Sequence, residues 1–274
     1  MGVPYAEVIG DPVDHSKSPL IHKFWLDRLA IEADYRARHV TPAELVDYIG
    51  QRRADPDWRG CNVTAPLKEH AASLVETPDG LCRFVGAVNC IARTPLSCLH
   101  GTNTDIAGVA EALRGAELEG AVVCLIGSGG AARSVLCHLH DKPIPALRIL
   151  ARDTGKAARL AEGYDGAVEM FAIDDVPAAM TGASIIVNAT PLGMTGKPPM
   201  IADVIEGLAH VDPDATVFDT IYAPLETELL RGARKMGLRT VDGLSMLIGQ
   251  AAPAFELFFG APAPREHDAE LGEL

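Results

Sequence analysis

A lysine that ends a short polar segment is a candidate for acid–base chemistry. The segment runs from Asn62 to Lys68. Asn62 and Thr64 share one side of an extended stretch, Pro66 stiffens the next turn, and Lys68 projects from that turn. A lysine is a useful general acid when burial or neighbouring charges tune its proton affinity. Most lysines are solvated surface charges, so the hypothesis requires a second group. A carboxylate beside Lys68 would hold its ammonium charged and oriented.

Hydroxyl, amide and carboxylate groups also stand at the ends of apolar runs. Ser16 and Ser18 are separated by one residue in the segment 15–19, just before a predicted helix. With the free N–H groups of a helix start, their hydroxyls would suit a carboxylate ligand, while simple capping of the helix by Ser18 explains them equally well. Asn89 lies in the predicted strand 87–93 and Asp105 in the connector that follows the next strand, and capping is the most frequent role for an aspartate near a helix start.

Two more polar residues lie in the second half of the chain. Tyr222 follows a predicted strand that ends at Asp219. Gln250 lies in an otherwise apolar helix, and a buried amide needs a hydrogen-bond partner, so a ligand is one explanation for it. The nine histidines show no metal-ligand spacing, and we expect no metal site.

A glycine-rich turn follows a buried apolar run at 122–126. The turn has the pattern G-x-G-x-x-A from Gly127 to Ala132 and opens a predicted helix. Gly127 permits the tight turn, Gly129 lets a pyrophosphate approach the backbone, and Ala132 lets the helix pack on the strand. Because the pattern follows a strand and begins a helix, it predicts a dinucleotide site. An ordinary strand-to-helix turn of another α/β protein is the alternative.

Strands and helices are predicted to alternate regularly after residue 120. The predicted strands lie at 121–126, 147–151, 168–171, 184–188, 216–219 and 239–241, and the predicted helices at 131–140, 156–162, 176–180 and 225–236. This alternation is typical of a parallel sheet with helices on both faces. A last apolar helix at about 244–259 precedes a tail rich in proline and acidic residues, which we expect to be loose.

The front of the chain predicts a second α/β unit. Strands are predicted at 5–10, 34–40 and 60–63, and a hairpin at 87–93 and 97–101 that turns at Thr94 and Pro95. One helix is predicted to begin at Pro19, a second after a capping box of Thr41 and Glu44, and a third at 68–75. We therefore predict an α/β protein of two domains. A substrate-binding domain at 1–102 is joined by the C-terminal helix at 243–274, and a Rossmann-type domain with a parallel sheet occupies 103–242.

The amino-acid composition indicates which classes of binding partner and which cellular compartment to expect. The chain of 274 residues has a net charge of −13, which argues against nucleic acid or an anionic membrane surface as a partner. No apolar run approaches the ~20 residues that span a bilayer. The six cysteines form no C-x-x-C pair and are typical of reduced core residues. We expect a cytoplasmic protein, a monomer or homodimer, that binds a small molecule in a cleft between its domains.

Seven motifs in order make the chain similar to the shikimate dehydrogenase family over nearly its whole length. They lie at His15–Pro19, Asn62–Lys68, Gly86–Asn89, Asn103–Asp105, Gly127–Ala132, Asn188–Met194 and Asp242–Ala251. The resemblance implies reversible, NADPH-dependent reduction of 3-dehydroshikimate to shikimate, a step of chorismate and aromatic amino-acid biosynthesis.

The resemblance also implies roles for residues of this chain. Lys68 would be the acid/base and Asp105 its partner. Ser16 and Ser18 would hold the substrate carboxylate. The other substrate contacts would be Thr64, Asn89, Tyr222 and Gln250. The cofactor would be bound by Gly127, Ser128, Gly129, Gly130, Ala131, Ala151, Arg152, Asp153, Lys156, Thr220 and Gly243.

The cofactor preference depends on the residues after the second strand of the Rossmann-type domain. Arg152 and Lys156 suit a ribose 2′-phosphate. Family members that use NADP tend to have Asn-Arg-Thr or Asn-Arg-Ser at the place where this chain has Ala151-Arg152-Asp153. Asp153 would repel the phosphate or bind a ribose hydroxyl. We expect NADP, with NAD as the alternative. Two smaller departures are Cys90 for threonine and Ile106 for glycine, the second beside Asp105.

Two other functions remain open at this point. An NAD-dependent quinate/shikimate dehydrogenase would use the same residues in a catabolic role. A non-catalytic homologue that senses the same ligand is the more distant alternative, and the presence of both Lys68 and Asp105 speaks against it.

Overall fold

The computed structural model describes residues 2–77, 80, 85–94, 96 and 98–272. It divides into two compact units, Met1–Asp105 with Ile248–Leu274, and Ile106–Leu247. Each unit is an α/β structure with its own sheet. The predicted α/β class is therefore confirmed.

The chain alternates between the two kinds of element. The strands are β1 (Tyr5–Gly10), β2 (Asp34–His39), β3 (Trp58–Val63), β4 (Cys90–Arg93), β5 (Leu99–Thr102), β6 (Val122–Ile126), β7 (Ala146–Ala151), β8 (Val168–Ala172), β9 (Ile185–Asn188), β10 (Thr216–Asp219) and β11 (Arg239–Val241). The helices of the described residues are α1 (Ser18–Arg28), α2 (Leu45–Ala54), α3 (Lys68–Ala72), α4 (Asp105–Ala112), α5 (Gly130–Leu139), α6 (Thr154–Leu160), α7 (Val176–Met180), α8 (Ala202–Gly207), α9 (Glu228–Lys235), α10 (Gly243–Phe259) and α11 (Asp268–Leu271).

The first unit is built on a mixed sheet in the order β2-β1-β3-β4-β5. Strand β1 is paired in parallel with β2 and β3, and every one of its residues is buried. Strands β3, β4 and β5 are antiparallel neighbours, which confirms the predicted hairpin of β4 and β5. Pro95 and Ser97, which belong to that prediction, lie outside the described residues. The hairpin brings Thr102 opposite Cys90 and so carries the segment 103–105 towards Asn89.

The second unit contains six parallel strands in the order β11-β10-β9-β6-β7-β8. Numbered within the unit, this is the strand order 6-5-4-1-2-3, which is the doubly wound arrangement of dinucleotide-binding domains. Successive residues of a strand face opposite sides of the sheet. Accordingly Val123 and Leu125 of β6 pack in one apolar cluster, and Cys124 and Ile126 pack in another. The uninterrupted apolar run of β6 is explained by this burial on both faces.

Several element boundaries differ from the sequence prediction. Helix α2 begins at Leu45 and not directly after Thr41. Glu44 does turn its carboxylate back to the Thr41 N–H (2.9 Å) and hydroxyl (2.8 Å), as the predicted capping box requires, but residues 42–44 form a turn ahead of the helix. Helix α3 ends at Ala72, three residues before the predicted end. Helix α8 had no counterpart in the prediction.

The C-terminal tail was predicted wrongly. Its residues form a 3-10 turn, Arg265–His267, and helix α11, in which Leu271 is buried. Arg28 at the end of α1 forms an ion pair with Glu270. This ordering depends on contacts with α1, which is more than 200 residues away along the chain, and the local composition carries no sign of it.

The cysteines are free thiols at the five positions that the structure describes, and Cys82 lies outside the described residues. Four are buried as predicted, whereas Cys98 is exposed. Within the described part of the chain, none of the helices has the length and apolar character that crossing a bilayer requires.

Candidate active site

Lys68 and Asp105 form an ion pair in the first unit. Lys68 is the first residue of α3 and Asp105 the first of α4. The Nζ atom of Lys68 donates to Oδ2 of Asp105 at 2.6 Å. Their side chains are 25% and 11% exposed, so the pair is largely shielded from water. Because the shielded environment has a lower dielectric constant, the two charges attract each other more strongly than they would on an open surface. The carboxylate that the lysine hypothesis required is therefore present beside the ammonium.

Asn89 holds the other oxygen of the same carboxylate. Its Nδ2 atom donates to Oδ1 of Asp105 at 2.8 Å and to Oγ1 of Thr104 at 3.0 Å. Its Oδ1 atom accepts from the backbone N–H of Thr104 at 2.6 Å. Both oxygens of Asp105 are thus occupied, one by Asn89 and one by Lys68, and the plane of the carboxylate is fixed.

The backbone around Asn89 ties these groups together. Asn103 accepts the N–H of Asp105 at 3.1 Å and donates to the carbonyl of Ala87 at 3.0 Å. The N–H of Val88 donates to the carbonyl of Lys68 at 2.9 Å. The segment 87–89 therefore contacts the backbone of the lysine on one side and the turn before α4 on the other. Helix α4 begins at Asp105, and Ile106 is its second residue.

Gln250 finds a partner within the first unit. It lies on α10, is 7% exposed, and its Oε1 atom lies 3.4 Å from Oγ1 of Thr104. The buried amide in the apolar helix is therefore bonded to the same threonine that Asn89 contacts. Thr64 is half-buried, and its N–H donates to the carbonyl of Ile9 at 2.9 Å.

Ser18 does not cap the helix that it begins. The residue before α1 is Lys17, which makes no side-chain cap, and the Ser18 N–H donates to Oγ of Ser16 at 3.3 Å. The Ser18 hydroxyl is hydrogen-bonded to Tyr35. The capping explanation for Ser18 is thus wrong, and the structure brings the two serines together.

Sequence reasoning missed Tyr35. This residue is completely buried in β2, and its hydroxyl donates to Oδ1 of Asn62 at 2.6 Å. Asn62 in turn lies 3.4 Å from the carbonyl of Asn89. Tyr35 thus joins Ser18 to the amides behind the Lys68 ion pair. A lone aromatic residue in a strand of mostly charged residues was the signal that could have identified it.

The second unit contains a cavity of about 520 Å³ at the carboxyl ends of β6 and β7. The predicted cofactor residues that line it are Gly127, Ser128, Ala151, Arg152, Asp153 and Lys156. Ligands of doubly wound sheets bind at this edge, where the strand order reverses. The predicted residues Gly129, Gly130, Ala131, Thr220 and Gly243 lie outside this lining.

The glycines of the turn fit a bound dinucleotide. Gly127 has a φ of +110°, and a Cβ there would lie 2.7 Å from Cγ2 of Thr190, so only glycine suits the position. At Gly129 and Gly130 a Cβ would meet no protein atom within 4 Å. Packing therefore does not require glycine at either position, and the open space leaves the backbone at the start of α5 accessible to phosphate.

The residues after β7 place two cations at the cavity. Arg152 and Lys156 are exposed, and neither forms an ion pair with another residue that the structure describes. Asp153 caps α6, since its Oδ1 accepts the Lys156 N–H at 2.8 Å. One oxygen of Asp153 is thereby used by the helix, but its negative charge remains beside the two cations.

Thr220, Tyr222 and Gly243 lie after β10 and at the start of α10. The N–H of Thr220 donates to the carbonyl of Asn188 at 3.1 Å. A Cβ at Gly243 would lie 2.4 Å from the carbonyl oxygen of Thr220, so the close approach of two backbones requires this glycine. Tyr222 is half-buried, and burial raises the pKa of its hydroxyl. Ala131 packs against the apolar cluster below α5.

The strand order, the glycine turn and the cavity beside it define the second unit as a Rossmann-type dinucleotide-binding unit. Three family models match the chain. They describe a shikimate dehydrogenase substrate-binding domain at residues 8–91, shikimate/quinate 5-dehydrogenase at 109–195, and a shikimate 5′-dehydrogenase C-terminal domain at 243–270.

Curated relatives match over almost the full chain. A protein of Sphingopyxis alaskensis named shikimate dehydrogenase (NADP(+)) is 49% identical, covering 99% of this chain and 96% of its own length. A protein of the same name from Methylobacterium radiotolerans is 41% identical, covering 97% and 94%. The chain belongs to the shikimate dehydrogenase family, a family of oxidoreductases, which confirms the resemblance found in the sequence.

Solved structures show the same architecture. Shikimate 5-dehydrogenase of Listeria monocytogenes, in complex with shikimate and NAD, has a TM-score of 0.89 at 27% identity, covering 98% of this chain and 96% of its own. The enzyme of Thermus thermophilus, in complex with NADP(H) and shikimate, has a TM-score of 0.84 at 30% identity, covering 98% of each chain.

Proposed function

We propose that this protein catalyses the reversible, NADPH-dependent reduction of 3-dehydroshikimate to shikimate. The observation that carries the proposal is the shielded ion pair of Lys68 and Asp105, whose carboxylate is held on its other side by Asn89. The relatives named shikimate dehydrogenase (NADP(+)) support the substrate and the cofactor. The reaction then belongs to chorismate and aromatic amino-acid biosynthesis.

Lys68 acts as the acid in the reducing direction. Negative charge develops on the substrate carbonyl oxygen as the carbon is reduced, and a protonated Lys68 stabilises that charge and delivers its proton from Nζ. A positioned acid of this kind contributes roughly 10²–10⁴-fold. Asp105 keeps the ammonium charged and aimed, and Asn89 keeps Asp105 in its plane. In the oxidising direction the neutral amine of Lys68, left after it has given up its proton, accepts the proton of the hydroxyl. When bound, NADPH supplies the hydride.

The remaining substrate contacts follow from the family motifs. Ser16 and Ser18 hold the carboxylate, and the substrate hydroxyl and carboxyl groups are bound by Thr64, Asn89, Tyr222 and Gln250. The pairing of Ser18 with Ser16 at the start of α1 supports the first assignment. For Asn89 the hydrogen bonds to Thr104 and Asp105 support a second role, the orientation of Asp105.

The two domains divide these tasks. Residues 1–102, with the C-terminal helix and tail from 243, bind the substrate, and residues 103–242 bind NADP. Gly127, Ser128, Gly129, Gly130 and Ala131 surround the pyrophosphate. Arg152 and Lys156 hold the 2′-phosphate beside Ala151 and Asp153. Thr220 completes the site together with Gly243, which is the first residue of the C-terminal helix and, of these cofactor contacts, the one outside 103–242. The cavity of about 520 Å³ and the two exposed cations support this placement.

The NAD-dependent quinate/shikimate dehydrogenase is the second candidate function. Asp153 favours it, because its carboxylate adds negative charge where a 2′-phosphate would lie. The structure of the Listeria monocytogenes relative in complex with shikimate and NAD shows that a protein of this fold accepts NAD.

One assay distinguishes the two candidates. We would measure kcat/KM for shikimate and for quinate, each with NADP and with NAD. We expect shikimate with NADP to give the highest value. A higher value for quinate or for NAD would establish the second candidate, and tight binding of shikimate without turnover of either cofactor would indicate the ligand-sensing homologue.

We also propose that the protein acts in the cytoplasm, as a monomer or homodimer. The free thiols at the five described cysteines support a reducing compartment. The net charge of −13 supports the expectation that neither nucleic acid nor a membrane surface is a partner.

A further inference from the structure

A buried carboxylate lies at the carboxyl end of the central parallel strands. Asp219 is the last residue of β10, is 0% exposed and stands opposite Asn188, the last residue of β9. Its Oδ1 accepts from Nδ2 of Asn188 at 3.0 Å and from the N–H of Ile221 at 3.2 Å. Its Oδ2 accepts from Oγ1 of Thr227 at 2.7 Å. No cation within the described ranges forms an ion pair with it.

The Asn188 side of this network forms a wall of the cofactor cavity. Oδ1 of Asn188 accepts from the N–H of Thr190 at 3.0 Å and from its hydroxyl at 2.7 Å. The Thr190 hydroxyl accepts the Leu192 N–H at 3.2 Å, which closes the loop. Thr190 and Leu192 line the same cavity as Gly127. Cγ2 of Thr190 fills the space that a Cβ of Gly127 would need, so the loop fits directly against the glycine turn.

The Thr227 side fixes the turn that carries Tyr222. Thr227 caps α9, since its Oγ1 accepts the Leu230 N–H at 3.3 Å. Through Ile221 and Thr227, Asp219 holds both ends of the segment that contains Tyr222. One carboxylate therefore connects a wall of the cofactor cavity with the segment of a proposed substrate contact.

The position suits a group that accepts hydrogen bonds at both of its oxygens. Three donors point at the two oxygens of Asp219. An asparagine would offer one oxygen and would turn an NH₂ group towards either Asn188 or Thr227. Burial raises the pKa of Asp219, and the three donors act in the opposite direction. The network compensates for the cost of a buried carboxylate, and an isosteric amide breaks part of it.

We propose that Asp219 is a positioning residue. Through Asn188 it sets the cavity wall that receives the cofactor, and through Thr227 and Ile221 it sets the turn that presents Tyr222. The substrate half of this inference rests on the proposed function, whereas the cofactor half can be tested by binding alone.

The test separates the two arms with four variants. The Asn188 arm is the hydrogen bond from Asn188 to Asp219, which leads to the cavity wall, and Asn188→Ala removes it. The Thr227 arm is the hydrogen bond from Thr227 to Asp219, which leads to the segment of Tyr222, and Thr227→Val removes it. Asp219→Asn disturbs both arms, and Thr227→Ser keeps the hydroxyl as the matched control. For each variant we would measure the Kd for NADPH by fluorescence, the KM for shikimate, kcat and the Tm.

We expect Asn188→Ala to raise the Kd for NADPH about fivefold, the size of one lost hydrogen bond, and to leave the KM for shikimate within about twofold. Thr227→Val gives the reverse pattern, Asp219→Asn raises both constants, and Thr227→Ser behaves as wild type. A lower Tm with both constants unchanged would overturn the proposal, as would equal effects of Asn188→Ala and Thr227→Val on both constants.

Two further outcomes are distinguishable. If the wild-type protein binds NADPH but turns over no shikimate, the proposed function fails while the Kd values still decide the Asn188 arm. If Asp219→Asn does not fold, the opposite patterns of Asn188→Ala and Thr227→Val decide the proposal without it.

Discussion

Nζ of Lys68 lies 2.6 Å from Oδ2 of Asp105, and Asn89 holds the second oxygen of that carboxylate at 2.8 Å. The ammonium thus has a fixed counter-charge, and the Lys68 side chain as a whole remains 25% exposed. An acid that must meet a carbonyl oxygen needs both properties, because orientation lowers the barrier and exposure leaves room for the substrate.

Replacement of Lys68 tests its role as the acid. We expect Lys68→Ala to lower kcat by at least ~10² with much less effect on the KM for shikimate, since the lost interaction is made mainly in the transition state. Steady-state kinetics in both directions is the measurement. Lys235→Ala, an exposed lysine at the end of α9, is the control and should behave as wild type. A loss confined to KM would count against acid catalysis.

Asn89 has two proposed roles, which kinetics can separate. If Asn89 mainly orients Asp105, Asn89→Ala lowers kcat by roughly tenfold or more, because one loosely held carboxylate misplaces the ammonium. If Asn89 mainly contacts the substrate hydroxyl, the KM for shikimate rises while kcat changes little. Its hydrogen bonds with Thr104 and Asp105 lead us to expect the first pattern. Comparison of kcat with KM decides between them.

The cofactor preference can be changed in opposite directions at neighbouring residues. Arg152→Ala should weaken NADPH binding by ~1–3 kcal/mol, the loss of a charge-assisted contact, and barely change NADH. Asp153→Ser should strengthen NADPH binding, because serine retains the cap on the Lys156 N–H but removes the negative charge. Kd values for both cofactors are the measurement.

A matched variant isolates the cap from the charge at this position. Asp153→Ala removes both and should cost about 0.5–2 kcal/mol of stability, which Asp153→Ser should spare. If Asp153→Ser leaves the ratio of NADPH to NADH affinity unchanged, the charge of Asp153 has no part in cofactor choice.

The parallel sheet of the second unit was predictable, since its signals are local. The apolar run 122–126 and the following glycines mark a buried strand and a turn within a dozen residues. Around Lys68, the sequence predicted which residues take part but not how they contact one another. Asp105 is 37 positions away, and it reaches the ammonium because the antiparallel register of β4 and β5 returns the chain to Asn89. The hairpin was predicted from its local turn signal, but its exact register depends on the turn geometry, which the residue pattern did not specify.

Other features depended on tertiary contacts in the same way. The link from Tyr35 to Asn62 joins different strands, and the Asp219 network joins the ends of two strands with the cap of α9. The tail became ordered through the burial of Leu271 and the ion pair of Arg28 with Glu270. Thr41 and Glu44 do form the predicted hydrogen bond, but in a turn ahead of the helix and not in its first turn.

His22 makes the stability of the first unit dependent on pH. It is completely buried on α1 and stacks on Tyr35 with ring centroids 3.9 Å apart. Neither ring nitrogen has a hydrogen-bond partner among the described residues. Burial lowers the pKa of His22 from 6.5 to about 3. The unfolded chain therefore takes up a proton below pH 6.5 that the folded chain does not bind, and the free energy of unfolding falls as the pH drops from 6.5 towards 3.

Urea unfolding of wild type and His22→Phe at pH 7 and pH 5 measures this contribution. Phenylalanine keeps an aromatic ring against Tyr35 but cannot bind a proton. From the difference in proton uptake, we expect the wild type to lose about 2 kcal/mol more than the variant between the two pH values. Other titrating groups contribute equally to both proteins and cancel in this difference. The cost of packing the larger phenylalanine ring is the same at both pH values, so it cancels as well. An equal loss in both proteins would show that His22 is already protonated in the folded state at pH 5, or that water reaches its ring.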